Sequence, residues 1–312
     1  MRVAYFGNFD PVHSTENEVR KALGYVGADV VCLQENDPTV FRRLGAVVGD
    51  FDLVLWTRTG WQPPVPHDDQ RSMLAAAESA GVPTVGFHLD RWWGLGREAQ
   101  VASEPFFRCS LVITADGGHD DEFAAAGVNH RWMPPGVSAD ECHPGRPTDE
   151  FRSDLAFVGS WRPGYHEEWT HRPALIRWLR DTYGDRVKFW PVEGQPAIRG
   201  AALRDLYAST KVLIGDSCLA GGATRYWSDR IPETLGRGGF LLHPEVEGLD
   251  EHFTPGQHLD TWPLFDWDAL AAKIDHYLTQ DEERSAIAAQ GRSHVLEHHT
   301  YTVRARQILD LL

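Results

Sequence analysis

Hydrophobic runs and amphipathic stretches alternate along the first half of the chain. Between two apolar runs, the stretch ENEVRKALGYVG places Val19, Leu23 and Val26 on one stripe of a helix. Strands and helices that alternate at this spacing predict parallel strands joined by crossover helices. The runs that read as strands buried on both faces are RVAYFGNF, ADVVCLQE, FDLVLWTR, VPTVGFHLD and CSLVITAD.

A stretch without periodicity follows. Residues Gly136–Asp154 are rich in proline, glycine and charge, as a linker is. Strands are predicted again at LAFVGS, RVKFWPV, KVLIGDS and FLLHP, and the tail from Trp267 is predicted almost wholly helical. The pattern predicts an α/β protein of two Rossmann-like, doubly wound domains, residues 1–148 and 149–312. We expect their ligands at the carboxyl ends of the strands, facing a cleft between the domains.

Composition narrows the class of protein. A length of 312 residues fits two domains, and 42% hydrophobic with 24% charged residues fits an ordinary globular protein. Neither a leader sequence nor an apolar run of membrane-spanning length is present, so we expect a cytoplasmic protein without membrane insertion. The four cysteines form no C-x-x-C pair, which favours free thiols over a zinc site. A net charge of −15 argues against a generic nucleic-acid binder.

The opening YFGNFDPVHSTENEV resembles the start of nucleotidyltransferases, in which Phe-Asp-Pro precedes an H-x-G-H motif. The position of the second histidine holds Glu16, and a carboxylate there would repel a nucleoside triphosphate. That activity is therefore excluded. Asp10 and His13 still lie after the first predicted strand, where the active sites of open sheets form. The alternative is a helix entry, with Ser14 or Thr15 as the cap.

The segment YWSDRIPETLGRGGFLLHP carries the strongest signal of the second domain. Pro232 suits a first helical turn, Glu233 lies near the start of that helix, and closely spaced glycines end it. This resembles the nucleotide-sugar-binding segment of glycosyltransferases with the two-domain GT-B fold. The resemblance implies that Glu233 binds the ribose hydroxyls of the donor. The alternative is a carboxylate that interacts only with its own helix dipole.

The resemblance extends to the CgeB-like glycosyltransferases over roughly residues 226–310, and FVGSWRPGYHEEWTHRPALIRWL resembles their glycine loop and following helix. It implies that Gly159 and Ser160 approach the donor diphosphate, and that Arg162 or Arg172 supplies positive charge. Other stretches, such as VPTVGFHLD, resemble the acceptor domain of the same family.

One position departs from the family pattern. Retaining relatives carry a second glutamate eight positions before the ribose glutamate, and this chain has Arg225 there. Arg225 or Arg230 is then expected to hold the donor phosphates. Inverting and retaining chemistry both stay open.

The resemblance implies a hexosyl- or pentosyltransferase that needs neither metal nor cofactor, with a UDP-sugar as the expected donor. A general base is expected among Asp10, His13 and Asp90, although Asp90 could instead cap a turn. The acceptor stays open between a saccharide, a small molecule, a protein and a modified base in DNA. The alternative function is a non-catalytic protein that binds sugar nucleotides or polysaccharides and has kept the fold.

Overall fold

The computed structural model describes residues 1–58, 64–161, 169–219 and 225–312. The chain forms two compact units, the first made of Met1–Pro134 with Tyr301–Leu312 and the second of Pro135–Thr300. This division differs from the predicted domains in two places: the boundary comes earlier, and the last helix belongs to the first unit.

The described residues form strands and helices that are numbered in chain order. The strands are β1 (Arg2–Gly7), β2 (Asp29–Gln34), β3 (Leu53–Arg58), β4 (Thr84–His88), β5 (Leu111–Thr114), β6 (His130–Trp132), β7 (Ser153–Val158), β8 (Val187–Trp190), β9 (Thr210–Ile214), β10 (Leu241–Pro244) and β11 (Asp260–Trp262). The helices are α1 (Thr15–Tyr25), α2 (Val40–Gly45), α3 (His67–Ala80), α4 (Asp120–Ala125), α5 (Arg172–Tyr183), α6 (Gly200–Ser209), α7 (Arg230–Gly236), α8 (Trp267–Thr279), α9 (Asp281–His298) and α10 (Tyr301–Asp310). Short 3-10 helices lie at Val48–Asp50, Glu98–Ala102, Pro105–Arg108, Ala139–Glu141, Gly184–Arg186 and Leu249–Glu251.

In the first unit the described strands form a parallel sheet in the order β2-β1-β3-β4-β5-β6. β3 and β4 are buried along their whole length, as strands covered on both faces are. Residues of α2 and α3 share one core with the sheet, and residues of α1 and α10 share the other. Ser14 begins α1 by accepting a 3.2 Å hydrogen bond from the backbone N–H of Asn17, which confirms the predicted cap.

The second unit holds a parallel sheet in the order β11-β10-β9-β7-β8, again within the described residues. Leucine and isoleucine side chains of α5 and α8 fill a core on this sheet. The chain runs from β7 to β8 on one side and then crosses back to β9 on the other. The carboxyl ends of β7 and β9 therefore flank a topological switch point, where open sheets bind ligands.

Both sheets confirm the predicted α/β alternation. None of the four cysteines forms a disulfide bond. Among the described residues, no helix is both long and apolar enough to cross a membrane.

Candidate functional site

Gly159, the first residue after β7, lies directly beside an arginine of α7. The guanidinium of Arg230 donates from Nη1 to the carbonyl oxygen of Val158 at 2.5 Å. Gly159 has a φ of +154°, and a Cβ atom on it would lie 2.0 Å from Arg230 Nη1. Only glycine combines this backbone conformation with room for the guanidinium. The glycine therefore serves to seat a positive charge at the end of β7.

Arg172, at the start of α5, brings a second positive charge to the same strand end. Its Nε and Nη2 donate to the two carboxylate oxygens of Asp216 at 2.6 and 2.9 Å, and its Nη1 donates to the carbonyl oxygen of Ser160 at 2.7 Å. Asp216 follows β9 and is fully buried. A guanidinium has five N–H groups, so two remain beyond these three bonds. The pair fixes the arginine in one orientation and leaves it donors for an anion.

The ring of Trp169 lies close to both arginines. The guanidinium carbon of Arg172 is 3.6 Å from the ring centroid, and that of Arg230 is 5.9 Å from it. Cations above an aromatic face are stabilised by the ring quadrupole. Trp169 therefore helps to hold two positive charges together at the switch point, and such an arrangement suits a phosphate or diphosphate anion.

Glu233 lies on α7, one turn after Arg230. Its side chain is about one quarter exposed, and its nearest described cation is Arg237, with 3.9 Å between Oε1 and Nη1. Arg237 is buried and also donates to the backbone carbonyl of Glu233 at 3.0 Å. The carboxylate is thus oriented by a distant ion pair and keeps an open side.

Two predicted donor-side arginines are not part of this group. Arg225 has a φ of +49° and forms a bidentate ion pair with Glu251. In one of the two bonds, Nη1 donates to Oε2 at 2.8 Å. Both terminal nitrogens of the Arg225 guanidinium are therefore engaged by Glu251. Arg162 lies outside the described residues.

His171 was not predicted and adjoins the Arg172–Asp216 pair. It is 2% exposed, and its Nε2 lies 3.6 Å from Asp216 Oδ2, beyond hydrogen-bonding distance. Neither ring nitrogen has a hydrogen-bond partner among the described residues. Burial lowers the pKa of His171, the charge of Asp216 opposes that shift, and the neighbouring Arg172 adds to it, so the pKa stays below the ordinary histidine value.

Asp216 could have been found from the sequence. It directly follows the apolar run of KVLIGDS, by the same rule that selected Asp10 and Asp90. What the sequence does not give is its pairing with a residue 44 positions away.

The predicted acceptor-side residues lie at strand ends of the first unit. Asp10 and His13 are exposed in the loop after β1, and Asp90 is exposed after β4. Asp10 accepts a 3.3 Å hydrogen bond from the side-chain amide of Asn36. The structure thus keeps all three at the carboxyl edge of one sheet, where the prediction put them.

Two further carboxylates at this edge were missed. Glu16, at the start of α1, and Glu35, directly after β2, are each 3% exposed. Burial, and then the charges of Glu16 and Asp10, raise the pKa of Glu35 to about 7. The position of Glu35 directly after the run DVVCLQ could have marked it as a strand-end residue. Nothing in the sequence indicates that its side chain is buried.

Comparisons with known proteins agree on one class. Residues 150–310 match the sequence profile of the family described as glycosyl transferase-like. A search of curated proteins gave no match.

Solved structures of low identity share the whole fold. HepE from Anabaena in complex with UDP superimposes with a TM-score of 0.66 at 13% identity, covering 100% of this chain and 99% of that chain. Sucrose-phosphate synthase from Thermosynechococcus elongatus gives 0.62 at 13%, covering 100% and 98%. A UDP-forming trehalose-phosphate synthase from Burkholderia xenovorans gives 0.62 at 12%, covering 99% and 98%. These likenesses show the two Rossmann-like domains of the GT-B fold.

Proposed function

Because the chain belongs to the glycosyl transferase-like family, we propose that it moves a glycosyl group from a nucleotide-diphosphate sugar to a hydroxyl group of an acceptor. In this reaction the bond between the anomeric carbon and the diphosphate oxygen breaks. A bond from that carbon to the acceptor oxygen forms, and the hydroxyl proton passes to a base. The nucleotide diphosphate leaves with the bonding electron pair.

The arginine arrangement in the second unit carries this proposal. Arg172 and Arg230 lie at the end of β7 with the ring of Trp169 close to both, and each is anchored by the backbone or by Asp216. Fixed positive charges of this kind stabilise the negative charge that develops on a departing diphosphate. We propose that the arginines take the part that a metal ion plays in other transferases.

Glu233 is the proposed ligand of the donor ribose. Its open side offers a charged acceptor to two neighbouring hydroxyls, and such bonds are about twice as strong as neutral ones. UDP is the proposed nucleotide, because the HepE structures contain UDP and UDP-glucose. Gly159 and Ser160 would let the diphosphate approach the backbone closely, and Arg162 and Arg225 stay proposed as further contacts.

Asp10, His13 and Asp90 are the proposed acceptor-side groups. A base within hydrogen-bonding reach of the acceptor hydroxyl would support an inverting reaction. Their exposure in the loops after β1 and β4 leaves them free to meet a substrate. The nature of the acceptor and the cytoplasmic location remain predictions from the sequence.

Release of nucleotide diphosphate from a panel of nucleotide sugars tests the proposal, with and without candidate acceptors. Arg230→Ala should abolish release, whereas Arg186→Ala, which removes an exposed ion pair with Asp154, should not change it. Tight UDP binding with no turnover of any donor, including hydrolysis, would instead support the binding-protein alternative. Failure to bind any nucleotide would reject both.

A further inference from the structure

Four carboxylates gather at the carboxyl edge of the first unit's sheet. Asp10 follows β1, Glu16 begins α1, Glu35 follows β2 and Asp90 follows β4. We call these four residues the acidic cluster. Of these four, Asp10 was selected from the opening motif and Asp90 from its position after a predicted strand. Glu16 and Glu35 were not selected as site residues from the sequence.

Gly7, the last residue of β1, contacts two members of the cluster. A Cβ atom on Gly7 would lie 2.6 Å from Cγ of Glu16, so glycine here is what allows the glutamate to cover the end of β1. The backbone N–H of Glu35 donates to the carbonyl oxygen of Gly7 at 3.0 Å. Two acidic residues therefore adjoin Gly7, Glu16 through its side chain and Glu35 through its backbone.

The carboxylates also shift one another's pKa values by electrostatic repulsion. After burial, the charges of Glu16 and Asp10 raise the pKa of Glu35 to about 7. Burial raises the pKa of Glu16 as well, hydrogen bonds from the backbone of Glu16 and Asn8 and from the side chain of Ser14 oppose that shift, and the charge of Asp90 adds a smaller upward contribution. Glu35 is thus repelled by Glu16 and Asp10, and Glu16 is repelled by Asp90. Together the four groups form one negative region.

Ion pairs are missing from the described part of that region. Within residues 1–58, 64–161, 169–219 and 225–312, none of the four carboxylates forms an ion pair. The buried guanidinium of Arg58 is engaged by Glu104 at 3.1 Å, and burial keeps His88 neutral against the pull of Asp90. The described side chains also include no group of ligands that could hold a metal ion.

Glu35 adds an independent observation. Its Oε1 is buried, and no donor among the described residues reaches it, although the residue is only 3% exposed. A buried polar atom without a partner costs about 1–3 kcal/mol. Native proteins give most buried polar atoms a partner from the protein, from water or from a ligand.

We propose that the acidic cluster binds an ammonium group of the acceptor, so that the acceptor belongs to the class of amino sugars and aminocyclitols. The inference rests on the proposed transferase function and specifies its second substrate. A neutral hydroxyl would satisfy the hydrogen bond of Glu35 but leave the negative region unbalanced. An ammonium group supplies both the donor and the charge, while the hydroxyls beside it offer the atom to be glycosylated.

Equilibrium binding tests the proposal without relying on turnover. Glucosamine, 2-deoxystreptamine, N-acetylglucosamine and glucose are titrated calorimetrically into the full chain saturated with UDP. The two amines should bind at least about tenfold more tightly than the two uncharged sugars, which corresponds to one charge-assisted bond. Glu35→Gln and Asp90→Asn should each shrink that preference to about threefold or less. Glu78→Gln, an exposed substitution of the same type on α3, should preserve it.

Glucose or N-acetylglucosamine binding as tightly as glucosamine would overturn the proposal, and so would the absence of binding by both amines. A preference that persists unchanged in Glu35→Gln and in Asp90→Asn overturns it as well. If Glu35→Gln does not fold, Asp90→Asn and the comparison of the four sugars on the unaltered chain decide. UDP binding is measured separately, and its absence would count against the proposed donor site rather than against the acidic cluster.

Discussion

Replacing Gly159 by alanine tests how the donor site is built. Its φ of +154° lies in a region that is almost exclusive to glycine, and the strain on another residue is about 1–3 kcal/mol. The new Cβ would also lie 2.0 Å from Arg230 Nη1. The guanidinium must then leave the carbonyl oxygen of Val158, which costs a charged hydrogen bond of about 1.5–3 kcal/mol. The free energy of unfolding should fall by about 2.5–6 kcal/mol.

The two contributions separate in a double-mutant cycle. In an Arg230→Ala background the clash is gone, so Gly159→Ala should cost only the backbone strain. The coupling energy between the two positions should therefore be about 1.5–3 kcal/mol. Gly184→Ala is the matched control, because Gly184 also has a positive φ of +52° but no atom lies within 4 Å of its added Cβ.

Urea titration followed by tryptophan fluorescence gives the unfolding free energies, and calorimetry with UDP gives the affinity of each variant. Gly159→Ala should weaken UDP binding almost as much as Arg230→Ala does, because both displace the same guanidinium. A coupling energy below about 0.5 kcal/mol would refute the reasoning. It would show that the glycine is needed for its backbone angle alone.

Three further predictions concern charged groups. Glu233→Ala should weaken UDP binding by about 2–3 kcal/mol with unchanged thermal stability, and an unchanged dissociation constant would remove the ribose assignment. Asp216→Asn should lower the free energy of unfolding by about 3 kcal/mol, because the buried guanidinium of Arg172 loses its counter-charge. Urea titration measures this change, and a value below about 0.5 kcal/mol would contradict the prediction. Since Glu35 has a folded pKa of about 7, above its unfolded value, the native state holds the extra proton and its stability declines as pH rises toward 7. Glu35→Gln should therefore gain stability relative to Glu78→Gln between pH 5 and pH 8 in thermal unfolding, and parallel curves would contradict the raised pKa.

Long periodic segments of the fold could be predicted from the sequence, and the shortest ones could not. β6 and β11 are three residues each, too short for a period to appear. They are strands because Trp132 pairs with Thr114 and Trp262 with Pro244, and those partners are not visible locally.

The candidate site divides in the same way. Gly159, Arg172 and Arg230 could be selected through the resemblance to the CgeB-like glycosyltransferases, and the structure brings them to one strand end. Asp216 and Glu35 also follow predicted strands, as Asp10 does. They differ from Asp10 because both are buried, Asp216 with a partner far away in the sequence and Glu35 with one carboxylate oxygen that has no partner among the described residues. Such properties depend on contacts between residues that are far apart in the sequence.

The placement of α10 has a consequence for the order of folding. Tyr301, Ala305 and Ile308 fill the same core as Val19 and Leu23 of α1, while every residue of the second unit lies between them in the chain. During synthesis on the ribosome, the second unit therefore emerges as one continuous segment. The first unit is incomplete until α10 has been synthesised, and until then α1 lacks the residues that cover its apolar face. A nascent chain halted at residue 300 should expose the apolar face of α1 to chaperones. The unit whose sequence begins first is thus the one that must finish last.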